Sequence, residues 1–221
     1  MKKINLFSVE NKRIVITGAG GVIGSTLAVS LAKDGAWLCL LDIDEEKLRI
    51  TEEKVNSYGK KHRAFKCSVF DSDELEKVRM EILKEFGWID GLMNVAGGAT
   101  KGSSTRTEFI TPETPMKDSF FGINLTEFHT VSDLNFMGSV IPAKVFGEVM
   151  VWQQSGNIIN ISSMGAIRPL TKSPAYCAGK AAIANFTQWL AVHLSKSNVR
   201  VNAIAPGFFL TDQNRFLLID E

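Results

Sequence analysis

The chain has 221 residues, of which 45% are apolar and 22% charged, and its 25 basic and 24 acidic side chains leave a net charge of +1. This composition is typical of a globular domain and excludes disordered, collagen-like and coiled-coil proteins. The charge balance provides no basic excess for binding a nucleic-acid backbone, so we expect no nucleic-acid partner.

Membrane and secretion signals are not evident in the sequence. No apolar run approaches the ~18–20 residues that span a bilayer, and Ser8, Glu10 and Asn11 interrupt the only stretch that could act as a secretory signal. The three cysteines are widely spaced and the three histidines are scattered, so we expect neither a disulfide framework nor a metal site. These features predict a cytoplasmic protein without a membrane partner.

Short β-branched strands alternate with amphipathic helices along the chain. The predicted strands are residues 13–17, 36–41, 63–69, 89–94, 156–161 and 199–204. The predicted helices are residues 22–34, 44–58, 71–86, 131–152 and 174–195. This alternation indicates an α/β fold, a doubly wound parallel sheet of the Rossmann type. We predict one domain over residues 1–221, with ligands at the carboxyl ends of the strands.

The stretch from residue 98 to about residue 130 interrupts this alternation. It is rich in Thr, Ser, Gly and Pro and fits no regular element. A loop of this length in a compact domain is usually functional or mobile. We expect it beside the strand ends, either as a lid or wall for a polar substrate or as a decoration without function.

A glycine-rich turn, Thr-Gly-Ala-Gly-Gly-Val-Ile-Gly over residues 17–24, follows the first strand and opens the first helix. Glycine lets the backbone approach a pyrophosphate, and the helix N-terminus offers free N–H groups with a partial positive charge. In this context the turn predicts a dinucleotide site, whereas the alternative is a tight turn without a ligand. The residues predicted to contact the cofactor here are Gly18, Gly20, Gly21, Val22, Ile23 and Gly24.

Asp42 follows the second strand. A carboxylate at this point can accept hydrogen bonds from both ribose hydroxyls of NAD and repels the 2′-phosphate of NADP. Because the glycine turn contains no Arg or Lys to bind that phosphate, the sequence favours NAD over NADP. The alternative is that Asp42 caps the next helix, although Asp44 is better placed for that role.

Tyr176 and Lys180 lie four residues apart in a predicted helix and share one of its faces. An ammonium beside a phenol lowers the pKa of the phenol, which would let Tyr176 exchange a proton with a substrate oxygen. Ser163 lies 13 residues before Tyr176, and its hydroxyl could bind the same oxygen. Each feature alone is weak, because such pairs occur by chance and Ser163 could belong to an ordinary turn.

In combination these motifs resemble the short-chain dehydrogenase/reductase family. The matching segments, in the family's order, are the turn at 17–24, Asn-Val-Ala-Gly at 94–97, Ile-Ser-Ser at 161–163, Tyr-Cys-Ala-Gly-Lys at 176–180 and Arg-Val-Asn-Ala-Ile-Ala-Pro-Gly at 200–207. The resemblance covers about residues 10–215 and implies hydride transfer between nicotinamide and a secondary alcohol or ketone. It also implies a homodimer or homotetramer that pairs through the long helices.

The resemblance implies a role for each matching residue. Tyr176 would be the catalytic acid/base, Lys180 would hold the nicotinamide ribose, and Ser163 would orient the substrate oxygen. Asn135 would support a proton relay to the lysine. The other residues implied in cofactor binding are Ser68, Val69, Asn94, Ala96, Gly97, Pro206, Gly207 and Thr211.

Three departures from the family pattern bear on these expectations. Val22 stands where the middle glycine of the turn is usual, and the resulting glycine spacing resembles the extended branch that contains epimerases and dehydratases. Ser68 replaces an aspartate that often contacts adenine, and Val95 replaces the second asparagine of Asn-Asn-Ala-Gly. The family normally continues through a further helix and a final strand, so either the given sequence is cut to its ordered part or the C-terminal strand is missing. If that strand is missing, we expect the sixth strand to form an exposed edge.

For the substrate, the sequence resembles a subgroup related to gluconate 5-dehydrogenases and mannonate or fructuronate oxidoreductases. This implies a sugar acid or a polyol, and Arg168 could bind a carboxylate with two hydrogen bonds. More often an arginine at such a position forms a surface ion pair. The other residues expected to contact the substrate are Gly98, Met164 and Phe208.

Two other functions stay open on the sequence alone. The glycine spacing is compatible with an epimerase or dehydratase that retains NAD, and a non-catalytic NAD(H)-sensing protein could use the same fold. The presence of Asn135, Ser163, Tyr176 and Lys180 together argues against the sensor. The sequence therefore predicts an NAD-dependent dehydrogenase or reductase.

Overall fold

A computed structural model describes residues 7–210 and residue 219 of the chain. The strands are β1 (Arg13–Thr17), β2 (Trp37–Asp42), β3 (His62–Lys66), β4 (Gly91–Asn94), β5 (Gly156–Ile161) and β6 (Val199–Ile204). The helices are α1 (Val22–Lys33), α2 (Glu45–Asn56), α3 (Ser72–Phe86), α4 (Leu125–Gln153) and α5 (Pro174–His193).

All six strands are parallel and lie in the order β3-β2-β1-β4-β5-β6. The strand order reverses between β1 and β4, where Thr17 pairs with Asn94 on one side and with Leu41 on the other. In open α/β sheets, ligands bind in the crevice outside the strand ends at such a switch point. The doubly wound fold predicted from the sequence is confirmed.

Both faces of the sheet are buried, which explains the continuous apolar strands. On β1, Ile14 and Ile16 belong to one core with residues of α1 and α2, and Val15 belongs to a second core with residues of α3 and α4. Successive side chains of a strand point to opposite faces, so a strand covered by helices on both sides is apolar throughout.

Helix α4 begins earlier than the sequence predicted. The expectation that residues 98–130 contain no regular element is wrong for residues 125–130, which form the first turns of α4. The side chain of Asn124 caps the helix by accepting a hydrogen bond from Glu127 N at 3.1 Å. Only Leu125 and Phe128 are apolar in these turns, which is too short a pattern to mark the helix start from sequence. The segment before them contains three short 3₁₀ turns.

By length and composition alone, α4 is also apolar enough to cross a membrane, contrary to the sequence expectation. However, 56% of its most apolar 18-residue window is buried inside the structure. The helix packs against β4, β5, α3 and α5. The apolar side chains of α4 are therefore buried against the sheet and the neighbouring helices.

Strand β6 lies at one edge of the sheet. Within the described part of the chain it pairs only with β5. Asn202, Ala203 and Ile204 are exposed.

Candidate active site

The glycine turn joins β1 to α1 without room for side chains. Gly18 has a φ of +66°, and a Cβ there would lie 2.7 Å from Ala96 Cα. A Cβ on Gly24 would collide with the carbonyl oxygen of Gly18. The turn is therefore packed backbone to backbone against the loop that follows β4.

The N-terminus of α1 is free to bind an anion. Gly21 is the N-cap residue, no side chain caps the helix, and the first turn carries no acidic residue. The free N–H groups and the helix dipole are suited to a pyrophosphate. Val22 occupies the first helical position with 50% of its surface exposed, so its side chain fits where the family usually has glycine. Ile23 lines the cleft described below.

Asp42 connects the end of β2 to the glycine turn. Its Oδ2 accepts a hydrogen bond from Gly20 N at 2.8 Å, and its Oδ1 accepts one from Asp44 N at 2.9 Å. The cap of α2 is Asp44, which accepts a hydrogen bond from Lys47 N at 3.1 Å. The alternative role of Asp42 as the helix cap is therefore wrong.

The sequence analysis missed two residues near the turn. Lys47 packs beside Gly20, where an added Cβ would lie 2.8 Å from the Lys47 Cβ. Thr17 is buried and its Oγ1 accepts hydrogen bonds from Val95 N and Ala96 N, at 3.2 and 3.4 Å. Thr17 could have been found from its place directly before the glycines, whereas Lys47 lies near the site only through the packing of α2.

Asn94 does not face the cofactor groove with its side chain. The residue is buried, and its Nδ2 donates to Asn160 Oδ1 at 2.9 Å and to the carbonyl of Ser139 at 3.3 Å. Asn160 Nδ2 in turn donates to Thr187 Oγ1 at 2.9 Å. This side chain joins β4 to β5 and α4 inside the core, so the predicted cofactor contact would have to come from the backbone of Asn94.

Asn135 and Lys180 meet at Gly97, immediately after β4. A Cβ on Gly97 would lie 2.9 Å from Asn135 Oδ1 and 3.1 Å from Lys180 Nζ. Asn135 is fully buried, and its Nδ2 donates to the carbonyls of Gly98 and Val131 at 2.6 and 2.8 Å. Its Oδ1 accepts from Gly98 N at 3.2 Å.

Ser163, Tyr176 and Lys180 come together where β5 ends and α5 begins. The Lys180 Nζ lies 5.7 Å from the centroid of the Tyr176 ring, so the two side chains share a face of α5 as predicted. Lys180 Nζ donates to the carbonyl of Ile161 at 2.7 Å. The Ser163 hydroxyl lies close enough to the Tyr176 phenol to affect its pKa.

The pKa values differ from the sequence prediction. Burial raises the pKa of Tyr176 above its usual value, although the hydrogen bond from Ser163 acts in the opposite direction. Burial also lowers the pKa of Lys180 from 10.5 to about 8. The expectation that Lys180 depresses the pKa of Tyr176 is therefore wrong for the protein alone, because desolvation of both side chains dominates.

One cleft contains these residues and opens at the strand ends. Its lining consists of Ile23, Val95, Gly97, Gly98, Ala99, Ile161, Ser162, Ser163, Met164, Leu170, Ser173, Tyr176, Lys180, Pro206, Gly207, Phe208 and Phe209. Among them the sequence predicted Gly98, Met164 and Phe208 as substrate contacts. Leu170 and Ser173, which reach the cleft only through the fold of the loop before α5, were not predicted. The other lining residues that were not predicted as site residues are Val95, Ala99, Ile161, Ser162 and Phe209.

Other predicted residues lie elsewhere. Arg168 is exposed and does not line the cleft, and only its backbone is fixed, by a hydrogen bond to the carbonyl of Met164 at 2.9 Å. Ser68 and Val69 follow β3 outside the cleft. Ala96 packs on the glycine turn. Thr211 lies outside the described residues.

The chain belongs to the short-chain dehydrogenase family, whose model matches residues 12–220. It is therefore an oxidoreductase acting on alcohol or ketone groups. A Haemophilus influenzae oxidoreductase is 45% identical over 214 residues, covering 96% of this chain and 75% of the relative. The 5-keto-D-gluconate 5-reductase of Escherichia coli is 33% identical over 217 residues, covering 98% and 79%.

A solved structure is also similar to this chain. It is a crystal structure from Haemophilus influenzae, assigned as a D-mannonate oxidoreductase and containing bound NAD. It matches with a TM-score of 0.90 and 45% identity, covering 96% of this chain and 76% of the other.

Proposed function

We propose that this chain is an NAD-dependent dehydrogenase or reductase that acts on a secondary alcohol or ketone of a sugar acid or polyol. The observation that carries the proposal is the convergence of Ser163, Tyr176 and Lys180 in one cleft. This cleft lies at the carboxyl ends of the strands, where the glycine turn also lies. A proton donor beside a nucleotide crevice suits hydride-transfer chemistry.

The residues around the glycine turn fit a dinucleotide. The uncapped N-terminus of α1 would bind the pyrophosphate, and Asp42 would accept hydrogen bonds from the adenosine ribose. The same carboxylate disfavours a 2′-phosphate, which supports NAD over NADP, as does the NAD in the Haemophilus influenzae structure. When bound, the nicotinamide supplies or accepts the hydride.

Tyr176 would carry the proton. In reduction its hydroxyl donates a proton to the carbonyl oxygen as the carbon gains a hydride, and in oxidation it removes the proton from the alcohol. Ser163, close to Tyr176, would bind the same oxygen and stabilise its developing charge. Lys180 donates to the carbonyl of Ile161 and has a pKa of about 8, so it stays mostly protonated at neutral pH and places an ammonium near the phenol.

Sugar-derived substrates are supported by two relatives, the 5-keto-D-gluconate reductase and the assigned D-mannonate oxidoreductase. Substrate hydroxyls would meet the hydroxyls of Ser162, Ser163 and Ser173 in the cleft. Lys180 is the single basic side chain in the described lining, and Arg168 would bind a substrate carboxylate only from outside that lining.

A substrate screen tests this proposal. D-Mannonate and xylitol would be offered with NAD or NADP, and 5-keto-D-gluconate with NADH or NADPH, while NADH absorbance is followed. We expect turnover of at least one sugar acid with NAD(H) in preference to NADP(H). Turnover of none of these compounds, or interconversion of a sugar without net change in added NADH, would contradict the proposal.

A further inference from the structure

One wall of the cleft is formed by the chain just after β4. Gly98 and Ala99 line the cleft together with Ser163 and Tyr176. The chain then forms a 3₁₀ turn, Lys101–Ser103, in which Ser103 Oγ donates to the carbonyl of Thr100 at 2.9 Å. The position of this segment therefore sets the shape of the cleft beside the proposed proton donor.

Helix α4 holds this segment at two points. Asn135 binds both the N–H and the carbonyl of Gly98. Eight residues earlier, Glu127 Oε2 accepts hydrogen bonds from Thr100 Oγ1 at 2.5 Å and from Gly102 N at 3.1 Å. A separation of eight residues is about two helical turns, which places both side chains on the same face of α4. Asn135 is part of the proposed catalytic group, whereas Glu127 has so far had no role.

Glu127 occupies a position from which a carboxylate usually serves its own helix. It is the third residue after the N-cap Asn124, where a capping-box glutamate would bind the N–H of the N-cap residue. Here Asn124 N donates instead to the carbonyl of Gly102 at 3.1 Å. The carboxylate of Glu127 is thereby directed away from its own helix and onto the segment at 100–102.

Gly102 makes this contact possible. Its N–H binds Glu127 and its carbonyl binds Asn124 N, so the peptide units on both of its sides are fixed. A Cβ at Gly102 would collide with both carboxylate oxygens of Glu127. Beyond this point, Thr105 N donates to the carbonyl of Lys172 at 2.9 Å, adjacent to the cleft residue Ser173.

From these contacts we infer that Glu127 is a positioning residue for the substrate. The contacts among Glu127, Thr100 and Gly102, named here the Glu127 latch, hold the Gly98–Ala99 wall at the distance from Tyr176 that a sugar-derived substrate requires. Glu127 touches neither the glycine turn nor Tyr176, so its effect is on substrate affinity and not on cofactor binding. This inference rests on the proposed function for its kinetic consequence.

The latch is tested by opening it from each side. Glu127→Ala removes the acceptor, and Gly102→Ala displaces the carboxylate from the opposite side. For a compound of the screen that the wild-type protein turns over, each variant is expected to raise KM about tenfold with kcat nearly unchanged. The dissociation constant for NADH, measured by fluorescence titration, is expected to stay at the wild-type value.

A double variant tests whether both substitutions act through the contact between Glu127 and Gly102. Because both remove the same interaction, the double variant is expected to raise KM no further than either single variant. Glu127→Gln retains an amide oxygen as acceptor and is expected to recover part of the affinity. The matched control is Glu113→Gln. Glu113 is an exposed glutamate in the same connection between β4 and α4, and the change removes a charge without touching the cleft.

Hydrogen exchange separates a failure of the latch from a failure of the proposed function. Exchange in the peptide covering residues 97–106 is expected to be faster in Glu127→Ala and Gly102→Ala than in the wild-type protein and in Glu113→Gln. If the wild-type protein turns over no compound of the screen, the proposed function fails while this exchange still decides the latch. An unchanged KM, an unchanged exchange rate, or an equal loss of NADH and substrate affinity would overturn the inference.

Discussion

The glycine turn and the segment at residues 98–105 border the same cleft, but they are held in place in different ways. At the turn, backbone packs on backbone: Gly18 lies against Ala96, and Gly24 lies against Gly18. In the segment, side chains hold the backbone, through Asn135 at Gly98 and Glu127 at Gly102.

This difference matches the two tasks of the cleft. The pyrophosphate is the same group in every dinucleotide that the turn would bind. A turn without space for side chains can adopt few other conformations. By contrast, the Gly98–Ala99 wall is held by a few side-chain hydrogen bonds, so substitution of one side chain can change its position. The proposed division is therefore that variants of the turn alter NADH binding, whereas variants around the segment and Tyr176 alter events at the substrate.

The largest expected effect is that of Tyr176→Phe. Loss of the phenolic hydroxyl removes the proposed proton donor, and kcat is expected to fall about a hundredfold to ten-thousandfold. Fluorescence titration is expected to show NADH binding as in the wild-type protein. Loss of NADH affinity together with activity would break the proposed division, because Tyr176 would then serve the cofactor side.

Gly24→Ala is expected to have the next largest effect. The added Cβ would collide with the carbonyl of Gly18, a backbone atom that cannot move without distorting the turn. We expect a loss of about 2–3 kcal/mol in the free energy of unfolding, measured in urea, and weaker NADH binding. Gly147→Ala is the control, because its Cβ would lie 3.5 Å from the nearest side chain, Ile158. Equal effects of the two variants would contradict the packing argument.

The buried ammonium of Lys180 predicts a pH dependence of stability. Burial lowers the pKa of Lys180 from 10.5 to about 8, so between these pH values the unfolded chain binds more protons than the folded chain. Stability is then expected to rise with pH over this window relative to a Lys180→Met variant, by on the order of 2 kcal/mol. Urea unfolding of both proteins at pH 7 and pH 10 measures this. A difference in stability that does not change with pH would show that the charge is not buried.

Asp42→Ser is expected to have the smallest effect. It tests whether Asp42 selects NADH over NADPH. Removing the carboxylate weakens a ribose contact and relieves repulsion of a 2′-phosphate, near which Lys47 already lies. We expect the dissociation constant for NADH to rise about tenfold and that for NADPH to fall. Asp71→Ser retains the cap of α3, away from the glycine turn, and serves as control. If Asp42→Ser leaves the preference for NADH unchanged, Asp42 does not select the cofactor.

The comparison also explains where sequence-based inference succeeded. The strands, the parallel sheet and the glycine turn follow from local patterns, because burial on both faces makes β1 apolar throughout and the turn has space only for glycine. Tyr176 and Lys180 were found from their spacing on one helix. The sequence did not show which way the Asn94 side chain points, since whether a side chain at a strand end faces the groove or the core depends on its neighbours Asn160 and Ser139.

By itself, the sequence determined the doubly wound fold, the place of the glycine turn and the grouping of Ser163, Tyr176 and Lys180 at the strand ends. Only the tertiary structure shows that burial raises the pKa of Tyr176 and that Arg168 is not among the described residues lining the cleft. It also shows that Glu127 accepts a hydrogen bond from Gly102 N. The physical reason is range. Periodicity, turns and helix spacing act between residues close in the chain, whereas desolvation and hydrogen bonds across a cleft depend on segments that only folding brings together.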